Sequence, residues 1–499
     1  MSRTYETFIE RLQELADINH AQGLMGWDQE TYMPPRGAAM RARAMGTLAG
    51  LYHERLTAPE LVALVAALKD ADLIGDAAVN VREIDRQQSR SLKLPKELVV
   101  ELSQTESLGH EAWIEAREKS DFALFQPWLE KIVALKKEVA ERVGYEGAMY
   151  NALLDEYEPY ARAEEIAPIF AQLKAQLVPL VEQITATGKY PARGVLDQEY
   201  PIEQQELLGQ QVLADMGFDM QAGRLDLAVH PFCAGTSRDD VRLTTRYSAD
   251  WLPGSLFGTI HEAGHGLYEQ GLPADAIGTP AGASISLGIH ESQSRLWENM
   301  VGRSKAFWMH YLPKLRALFP QQLSAVDLDA FYAAVNQVQP SLIRVEADEV
   351  TYNLHILLRF ELECDLIEGR VAVAELPEVW NERMEHYLGI RPPNDALGVL
   401  QDTHWSCGLL GYFPTYSLGN LYAAQFFHQA HQDLPDLEEQ IAQGELGPLK
   451  TWLNEKIHAR GARATASELV EEVTGAKLSA DYFIDYLWEK FGALYGLSR

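Results

Sequence analysis

The chain has 499 residues, of which 47% are hydrophobic and 23% are charged. These fractions are close to globular averages, so they exclude wholesale disorder and a fibrous repeat. The 43 Lys and Arg residues are outnumbered by 72 Asp and Glu residues, which gives a formal net charge of −29. A surface this negative repels phosphate backbones and anionic lipids, so we expect neither nucleic acid nor a membrane as the main partner.

Helical periodicity dominates the chain, beginning with an apolar face that includes Phe8 and Leu12. Further helices are predicted around residues 96–118, 127–143, 164–187, 203–215, 326–338, 346–368, 376–388, 419–431, 436–459 and 478–496. The best strand signal is the short alternating run over residues 241–247, and residues 271–286 are interpreted as a loop between two helices. The pattern predicts one mostly α-helical unit over residues 1–499, without a clear sequence boundary between lobes.

Cysteine content and hydropathy indicate the compartment. Cys233, Cys364 and Cys407 are odd in number and widely spaced, which suits a reducing environment. The first residues contain neither the apolar core nor the cleavage site of a targeting segment. The longest nearly apolar stretch, residues 61–68, is far shorter than the ~18 residues that a spanning helix needs. We therefore expect a soluble cytoplasmic protein.

Residues 261–265 (HEAGH) carry the strongest chemical signal, and they fall in a predicted helix. His261 and His265 are one turn apart, so both imidazoles project from one face and can bind the same metal ion. Glu262 is rotated by about 100° from His261, which suits a general base better than a third ligand. The alternative is a buried helix with incidental histidines.

A catalytic zinc ion needs a third protein ligand and an open fourth position. Glu269 continues the four-residue spacing, but it lies about 12 Å along the helix axis from His261 and cannot close the site. The next predicted helix supplies His290 and Glu291, and both side chains qualify chemically. Spacing favours Glu291 over His290, and the alternative for Glu291 is an ordinary surface acid.

Several short motifs, taken in order, carry a family resemblance. They are residues 27–34 (WDQETYMP), 240–244 (DVRLT), 261–265 (HEAGH), 290–293 (HESQ), 343–348 (IRVEAD) and 398–405 (GVLQDTHW). With these motifs the chain resembles, nearly end to end, the carboxypeptidase Taq family of thermostable zinc metallocarboxypeptidases. A series of motifs in this order is far more specific than the metal motif alone.

The resemblance implies a two-lobed helical fold with a deep groove, similar to neurolysin and angiotensin-converting enzyme, and we expect a small β-sheet near the metal site. It implies one Zn²⁺ per chain, held by His261, His265 and Glu291, with Glu262 as the general base and Co²⁺ able to substitute. It also implies a homodimer that removes single residues from peptide C-termini with broad side-chain tolerance.

Two arginines are candidates for binding the substrate. An exopeptidase that acts on C-termini must capture a free carboxylate, and a planar guanidinium does this with two hydrogen bonds. Arg242 and Arg344 match family positions that we associate with substrate anchoring. The alternatives are a cross-strand contact or pairing with Asp240 for Arg242, and a helix salt bridge with Asp348 for Arg344.

Three further residues receive weaker assignments. His404 is a candidate donor to the oxyanion or to the substrate backbone, oriented by Asp402, and the alternative is a locally hydrogen-bonded core histidine. Tyr416 is a candidate for oxyanion stabilisation, because related zinc peptidases use a tyrosine hydroxyl for that purpose. Cys407 is interpreted as a small buried residue rather than as a nucleophile.

The leading hypothesis is a zinc metallocarboxypeptidase acting on peptides with a free C-terminal carboxylate. An oligopeptide endopeptidase or a dipeptide-releasing carboxypeptidase would keep the chemistry and change the specificity. A non-catalytic zinc-containing peptide-binding protein is the alternative from another class. The intact Glu262 argues against it, because a structural site gains nothing from a base beside its ligands.

Overall fold

The structure, a computed structural model, describes residues 3–191 and 193–499, and most of these residues are helical. The α-helices are α1 (Arg3–Thr31), α2 (Ala38–Leu56), α3 (Pro59–Lys69), α4 (Asp76–Lys93), α5 (Lys96–Lys119), α6 (Gln126–Val143), α7 (Asn151–Leu154), α8 (Ala163–Ala186), α9 (Ile202–Met216), α10 (Leu252–Gly271), α11 (Leu287–Arg295), α12 (Lys305–Leu318), α13 (Pro320–Leu323), α14 (Leu328–Val335), α15 (Tyr352–Glu368), α16 (Leu376–Leu388), α17 (Pro414–Asp433), α18 (Leu437–Gln443), α19 (Gly447–Lys456), α20 (Ala466–Thr474), α21 (Asp481–Leu487) and α22 (Ala493–Tyr495). This confirms the mostly α-helical prediction.

The periodic segments become helices, with differences at their ends. The prediction over residues 376–388 coincides with α16, whereas the one over residues 436–459 is divided into α18 and α19. The helix predicted from residue 346 begins only at Tyr352. The residues before it form a short 3-10 helix (Arg344–Glu346) and a turn in which the Asp348 carboxylate accepts the backbone N–H of Thr351 (3.0 Å).

A three-stranded sheet lies beside the helices. It consists of β1 (Gly223–Leu227), β2 (Cys233–Ser237) and β3 (Asp240–Thr245), in the order β1-β3-β2. The central β3 runs parallel to β1 and antiparallel to β2. The Thr259 hydroxyl of α10 donates to the Thr245 hydroxyl of β3 (3.0 Å), so the sheet contacts the helix that carries the two metal-motif histidines. The predicted small sheet near that helix is therefore confirmed.

Among the described residues, buried apolar side chains form one large cluster, a smaller N-terminal cluster and two minor ones. The large cluster extends along the chain from Trp113 to Tyr495 and includes the fully buried Trp308. The N-terminal cluster joins side chains of α1, α2, α3 and α4 between Tyr5 and Ile84. Over the described residues, every helix is either too short or too polar to cross a membrane.

Close backbone contacts place α11 against its neighbours. A Cβ atom on Gly264 of α10 would lie 2.5 Å from the Gln293 carbonyl oxygen, so only glycine permits this approach. On α17, a Cβ atom on Gly419 would lie 2.5 Å from Cγ of Glu291. At the start of α11, the Ser286 hydroxyl accepts the Ile289 N–H (3.1 Å) and caps the helix. These contacts position Glu291 opposite α10.

Candidate metal centre and active site

Three side chains from α10 and α11 converge as a metal-binding group. The ligand atoms of His261, His265 and Glu291 all lie within 4.8 Å of one another. Oε2 of Glu291 is 3.3 Å from Nε2 of His265 and 3.6 Å from Nε2 of His261. Two imidazole nitrogens and one carboxylate oxygen make up a donor set of catalytic zinc sites. The residues present therefore fit a divalent metal ion.

The imidazole of His261 is oriented by a carboxylate on its far side. Its Nδ1 lies 2.9 Å from Oε2 of Glu298, in the π-helical segment Leu296–Val301 that follows α11. Because a carboxylate accepts, Nδ1 carries the hydrogen and Nε2 keeps its lone pair for a metal. Burial opposes ionisation of Glu298, but the charge of Arg295 and the bond from His261 hold its pKa well below the usual range.

The imidazole of His265 is oriented through a second histidine. Its Nδ1 lies 2.6 Å from Nδ1 of His290, and Nε2 of His290 lies 2.8 Å from Oε1 of Glu269. The Glu269 carboxylate accepts from His290, so Nδ1 of His290 accepts from His265 and Nε2 of His265 stays free. Burial lowers the pKa of His265 to about 3, which keeps the imidazole in the neutral form that binds metals.

Glu262 is a buried carboxyl group close to the three ligands. Burial raises its pKa to about 7; the charge of His261 opposes this rise, and the charges of Glu291 and Glu298 add to it. A carboxyl group whose pKa is near neutrality can both accept and return a proton, as a general base requires. It lies beside the histidines of the candidate metal-binding group, and its role as a general base stays a prediction.

Arg344 and Arg359 share the carboxylate of Asp402. Arg344 donates from Nη2 (2.8 Å) and Nε (3.1 Å) to Oδ1, and Nε of Arg359 donates to Oδ2 (2.7 Å). Burial opposes ionisation of Asp402, but the charges of Arg359 and Arg344 hold its pKa far below the usual range. Arg344 thus pairs with Asp402 and not with Asp348, so the helix salt bridge considered as an alternative is wrong.

His404 and Tyr416 lie in the same cluster as Arg344. Nε2 of His404 is 3.2 Å from the Tyr416 hydroxyl, and the Arg344 guanidinium lies 5.0 Å from the centre of the Tyr416 ring. Nδ1 of His404 is 4.0 Å from Asp402, too far for a hydrogen bond, so the proposed orientation by Asp402 is not supported. Burial raises the pKa of Tyr416 well above its ordinary value, which keeps its hydroxyl protonated as a donor.

The metal-binding group and the Arg344 cluster are connected through Tyr352. The Arg344 Nη1 donates to the Tyr352 hydroxyl (3.1 Å), and the guanidinium of Arg295 lies 4.5 Å from the centre of the same ring. Arg295 in turn donates from Nε to Oε1 of Glu291 (2.6 Å). One continuous path of contacts therefore joins a candidate substrate-binding residue to a candidate metal ligand.

Arg242 lies in a different group of residues on β3. It donates to both carboxylate oxygens of Asp240 (2.7 and 3.0 Å), and its guanidinium lies 4.4 Å from the centre of the Trp27 ring. The alternative interpretation, pairing with Asp240, is thus the arrangement observed. Trp27 and Tyr32 of the N-terminal motif contact the same sheet: Trp27 packs against Arg242 of β3, and the Tyr32 hydroxyl donates to Asp226 of β1 (2.5 Å).

The sequence does not identify the side chains that contact the candidate ligands His261, His265 and Glu291. Arg295 is four residues after Glu291, a helical spacing that could have indicated an ion pair. The sequence presents Glu269 only as a possible ligand, although its position four residues after His265 could have indicated that it contacts a neighbour of that histidine. Arg359 and Tyr352 carry no local signal, because their partners come from distant segments.

Comparison with known proteins supports, over nearly the whole chain, the family that the sequence motifs indicate. The model of the family described as "Carboxypeptidase Taq (M32) metallopeptidase" matches residues 7–491. The Thermostable carboxypeptidase 1 of Thermus thermophilus is 46% identical, with 99% of each chain covered, and Carboxypeptidase 1 of Bacillus subtilis is 40% identical over the same shares.

Solved structures agree. The M32 carboxypeptidase of Deinococcus radiodurans R1 is 40% identical with a TM-score of 0.97, covering 99% of this chain and 100% of that one. The Pyrococcus furiosus carboxypeptidase is also 40% identical, with a TM-score of 0.96 and coverage of 98% and 99%. The metal-binding group, the adjacent Glu262 and this full-length similarity lead to one conclusion: the chain belongs to the carboxypeptidase Taq (M32) family of metallopeptidases and is a metallocarboxypeptidase.

Proposed function

We propose that the protein is a zinc-dependent carboxypeptidase that releases single amino acids from peptide C-termini with broad side-chain tolerance. The observation that carries this proposal is the convergence of His261, His265 and Glu291 next to the buried Glu262. One Zn²⁺ per chain is held by these three ligands, and Co²⁺ can replace it. A catalytic site of this kind keeps one coordination position free, which a purely structural zinc site does not.

Glu262 performs the proton transfers. It accepts the proton of the attacking water and passes it to the leaving amine, for which a pKa near neutrality is suited. The bound metal ion supplies Lewis-acid polarisation of the scissile carbonyl. Tyr416, protonated at neutral pH, and His404 donate hydrogen bonds to the substrate carbonyl or to the oxyanion that develops from it.

Arg344 is the proposed anchor for the substrate carboxylate, and Arg242 is the second candidate. Three of the five N–H groups of Arg344 are used by Asp402 and Tyr352, so two remain for an incoming carboxylate. The contact of Arg344 with Tyr416 and its path to Arg295 favour it over Arg242, which pairs with Asp240. A guanidinium that reads a carboxylate also explains how an acidic protein binds an anionic terminus.

The remaining proposals concern the whole enzyme. We propose a single unit over residues 1–499 with two lobes and a deep groove, similar to neurolysin and angiotensin-converting enzyme. The enzyme acts as a cytoplasmic homodimer on peptides, without nucleic acid or membrane partners. The three free thiols support the cytoplasmic location, and the net charge of −29 supports the absence of nucleic acid and anionic membrane partners.

Time-resolved mass spectrometry of a peptide digest tests the proposed specificity. We expect a ladder of products that each lose one C-terminal residue, and a C-terminally amidated peptide should be cleaved far more slowly. Losing one partner of a buried charge pair costs roughly 2–5 kcal/mol, or about 30-fold to several thousand-fold in kcat/KM. Steps of two residues would indicate a dipeptide-releasing enzyme, and internal fragments would indicate an endopeptidase.

The same assay assigns the anchor. Arg344→Ala should lower kcat/KM on the free acid by about the same factor as amidation does. It should add little further loss on the amide, because both changes delete the same interaction between the arginine and the terminal carboxylate. Arg242→Ala is the matched variant. If Arg242→Ala shows the non-additive pattern and Arg344→Ala does not, the anchor is Arg242.

A further inference from the structure

We propose that Arg295 is a positioning residue that makes Glu291 a one-oxygen ligand and so keeps a coordination position of the metal free. The inference rests on the proposed metal site and adds a residue that is neither a ligand nor a proton donor in it. It concerns the two oxygens of one carboxylate, which the structure places in different environments.

The two oxygens of Glu291 have different partners. Oε2 lies 3.3 Å from Nε2 of His265 and 3.6 Å from Nε2 of His261, and it also accepts from the Ser294 hydroxyl (3.0 Å). Oε1 accepts from Nε of Arg295 at 2.6 Å. Thus one oxygen faces both imidazoles, whereas the other is held by a guanidinium.

The position of Arg295 is itself fixed on several sides. Its Nη1 lies 3.3 Å from Oε2 of Glu298, the carboxylate that orients His261. The flat guanidinium packs over the Tyr352 ring at 4.5 Å. A guanidinium stays protonated in proteins, so Arg295 is a permanent cation between the carboxylates of Glu291 and Glu298. Arg295 is therefore a rigid cation that Oε1 cannot leave without losing a buried ion pair.

The number of Glu291 oxygens that bind the metal decides whether a coordination position stays open. A carboxylate can bind a metal with one or with two oxygens, and a second oxygen would take the position that catalysis needs open. With Oε1 committed to Arg295, only Oε2 remains for the metal. The arrangement assigns Arg295 the task of preserving the open position, and it links Glu291 and His261 through one cation.

The metal-loaded wild-type enzyme gives the first test. Its crystal structure with Zn²⁺ should show Oε2 of Glu291 bound to the metal and Oε1 on Arg295. If both oxygens bind the metal, the inference is overturned whatever the variants do. If the wild-type enzyme binds no divalent metal at all, the proposed function fails instead, so the two failures are distinguishable.

Variants give the second test, with the visible spectrum of the Co²⁺-loaded enzyme as the readout. In Arg295→Met the freed Oε1 should join the metal, which raises the coordination number and weakens the visible Co²⁺ bands. The kcat should fall about 10–100-fold with little change in KM, as expected when a side chain that orients a metal ligand is lost. Arg295→Lys keeps a charged donor and should restore the wild-type spectrum in part.

Arg303→Met is the matched control. Arg303 donates to Oε1 of Glu298 (3.2 Å), so its loss removes a cation from the same carboxylate without touching Glu291. The control should keep the wild-type Co²⁺ spectrum. A soluble Arg295→Met enzyme with an unchanged spectrum, or the same spectral change in Arg303→Met, would overturn the inference. If Arg295→Met does not fold, the wild-type crystal structure and Arg295→Lys decide.

Discussion

At the scale of single residues, each histidine of the proposed metal site is held by a carboxylate. Glu298 contacts His261 directly, and Glu269 acts on His265 through His290. Such partners fix the ring orientation and the nitrogen that carries the hydrogen, and losing one typically costs 10–100-fold in metal affinity or activity. Removing a metal ligand and removing one of these carboxylates should therefore lower metal affinity to different extents.

The role of Glu262 leads to a prediction that separates chemistry from metal binding. Glu262→Gln removes the base and no ligand, so the variant should keep its metal and lose about 10²–10⁴-fold in kcat. Metal content by mass spectrometry and initial rates on one peptide check both parts. Glu291→Ala is the contrast, because it should lose metal. A Glu262→Gln enzyme that retains zinc and near wild-type activity would contradict the mechanism.

At the scale of elements, the helix that carries Glu291 is held at its first turn by a buried acid. Glu158 accepts from the Ser286 hydroxyl (2.8 Å) and the Gly288 N–H (2.9 Å), and the Tyr422 hydroxyl adds a longer bond (3.3 Å). Burial nevertheless raises the pKa of Glu158 to about 7. The start of α11 thus depends on a carboxyl group that titrates near neutral pH.

A pH-dependent stability difference follows. A native pKa raised from 4.5 to about 7 gives stability that is complete below pH 4.5 and lost as the pH rises through 7. The side chain of Glu158→Gln cannot titrate, so the variant does not lose this contribution. The difference in unfolding free energy between the variant and wild type should therefore shift in favour of the variant from pH 5 to pH 8, by about 3 kcal/mol at most. Thermal unfolding at the two pH values checks this. Tyr422→Phe removes one hydrogen bond and keeps the titration, so it should follow the wild-type pH dependence.

The sequence predicted the elements better than the contacts between them. The spacing of the two histidines and the position of Glu291 after the 271–286 loop correctly predicted α10, α11 and their convergence. The strands β1 and β2 were missed, because each has only five residues and β2 is composed of small residues typical of turns. Contacts such as those of Asp402 with two arginines join segments far apart in the chain, and no local pattern encodes them.

At the scale of the whole molecule, the proposed metal site is a small part of a large core. The main apolar cluster continues from Trp113 to Tyr495 and includes fully buried aromatic side chains far along the chain from the ligands, such as Trp380. A chain of this length buries about three quarters of its unfolded surface. We therefore expect this chain to stay folded without a bound metal ion, whereas a small zinc domain unfolds without one.

Metal removal should accordingly abolish activity and preserve the fold. After chelation we expect the helical circular dichroism signal to be retained, with a lower melting temperature because bound metal stabilises the native state by mass action. Added Zn²⁺ should restore activity. A collapse of the helical signal at room temperature would contradict this expectation.

Two glycines set the distance between α11 and the helices that pack against it. Gly264 and Gly419 let two neighbouring helices approach α11 to distances that a methyl group would prevent. The separation of Glu291 from the two histidines therefore depends on the main-chain spacing of these helices. Since cations differ in radius and in preferred bond length, selectivity among them is open to engineering from position 264, at which no ligand atom is altered.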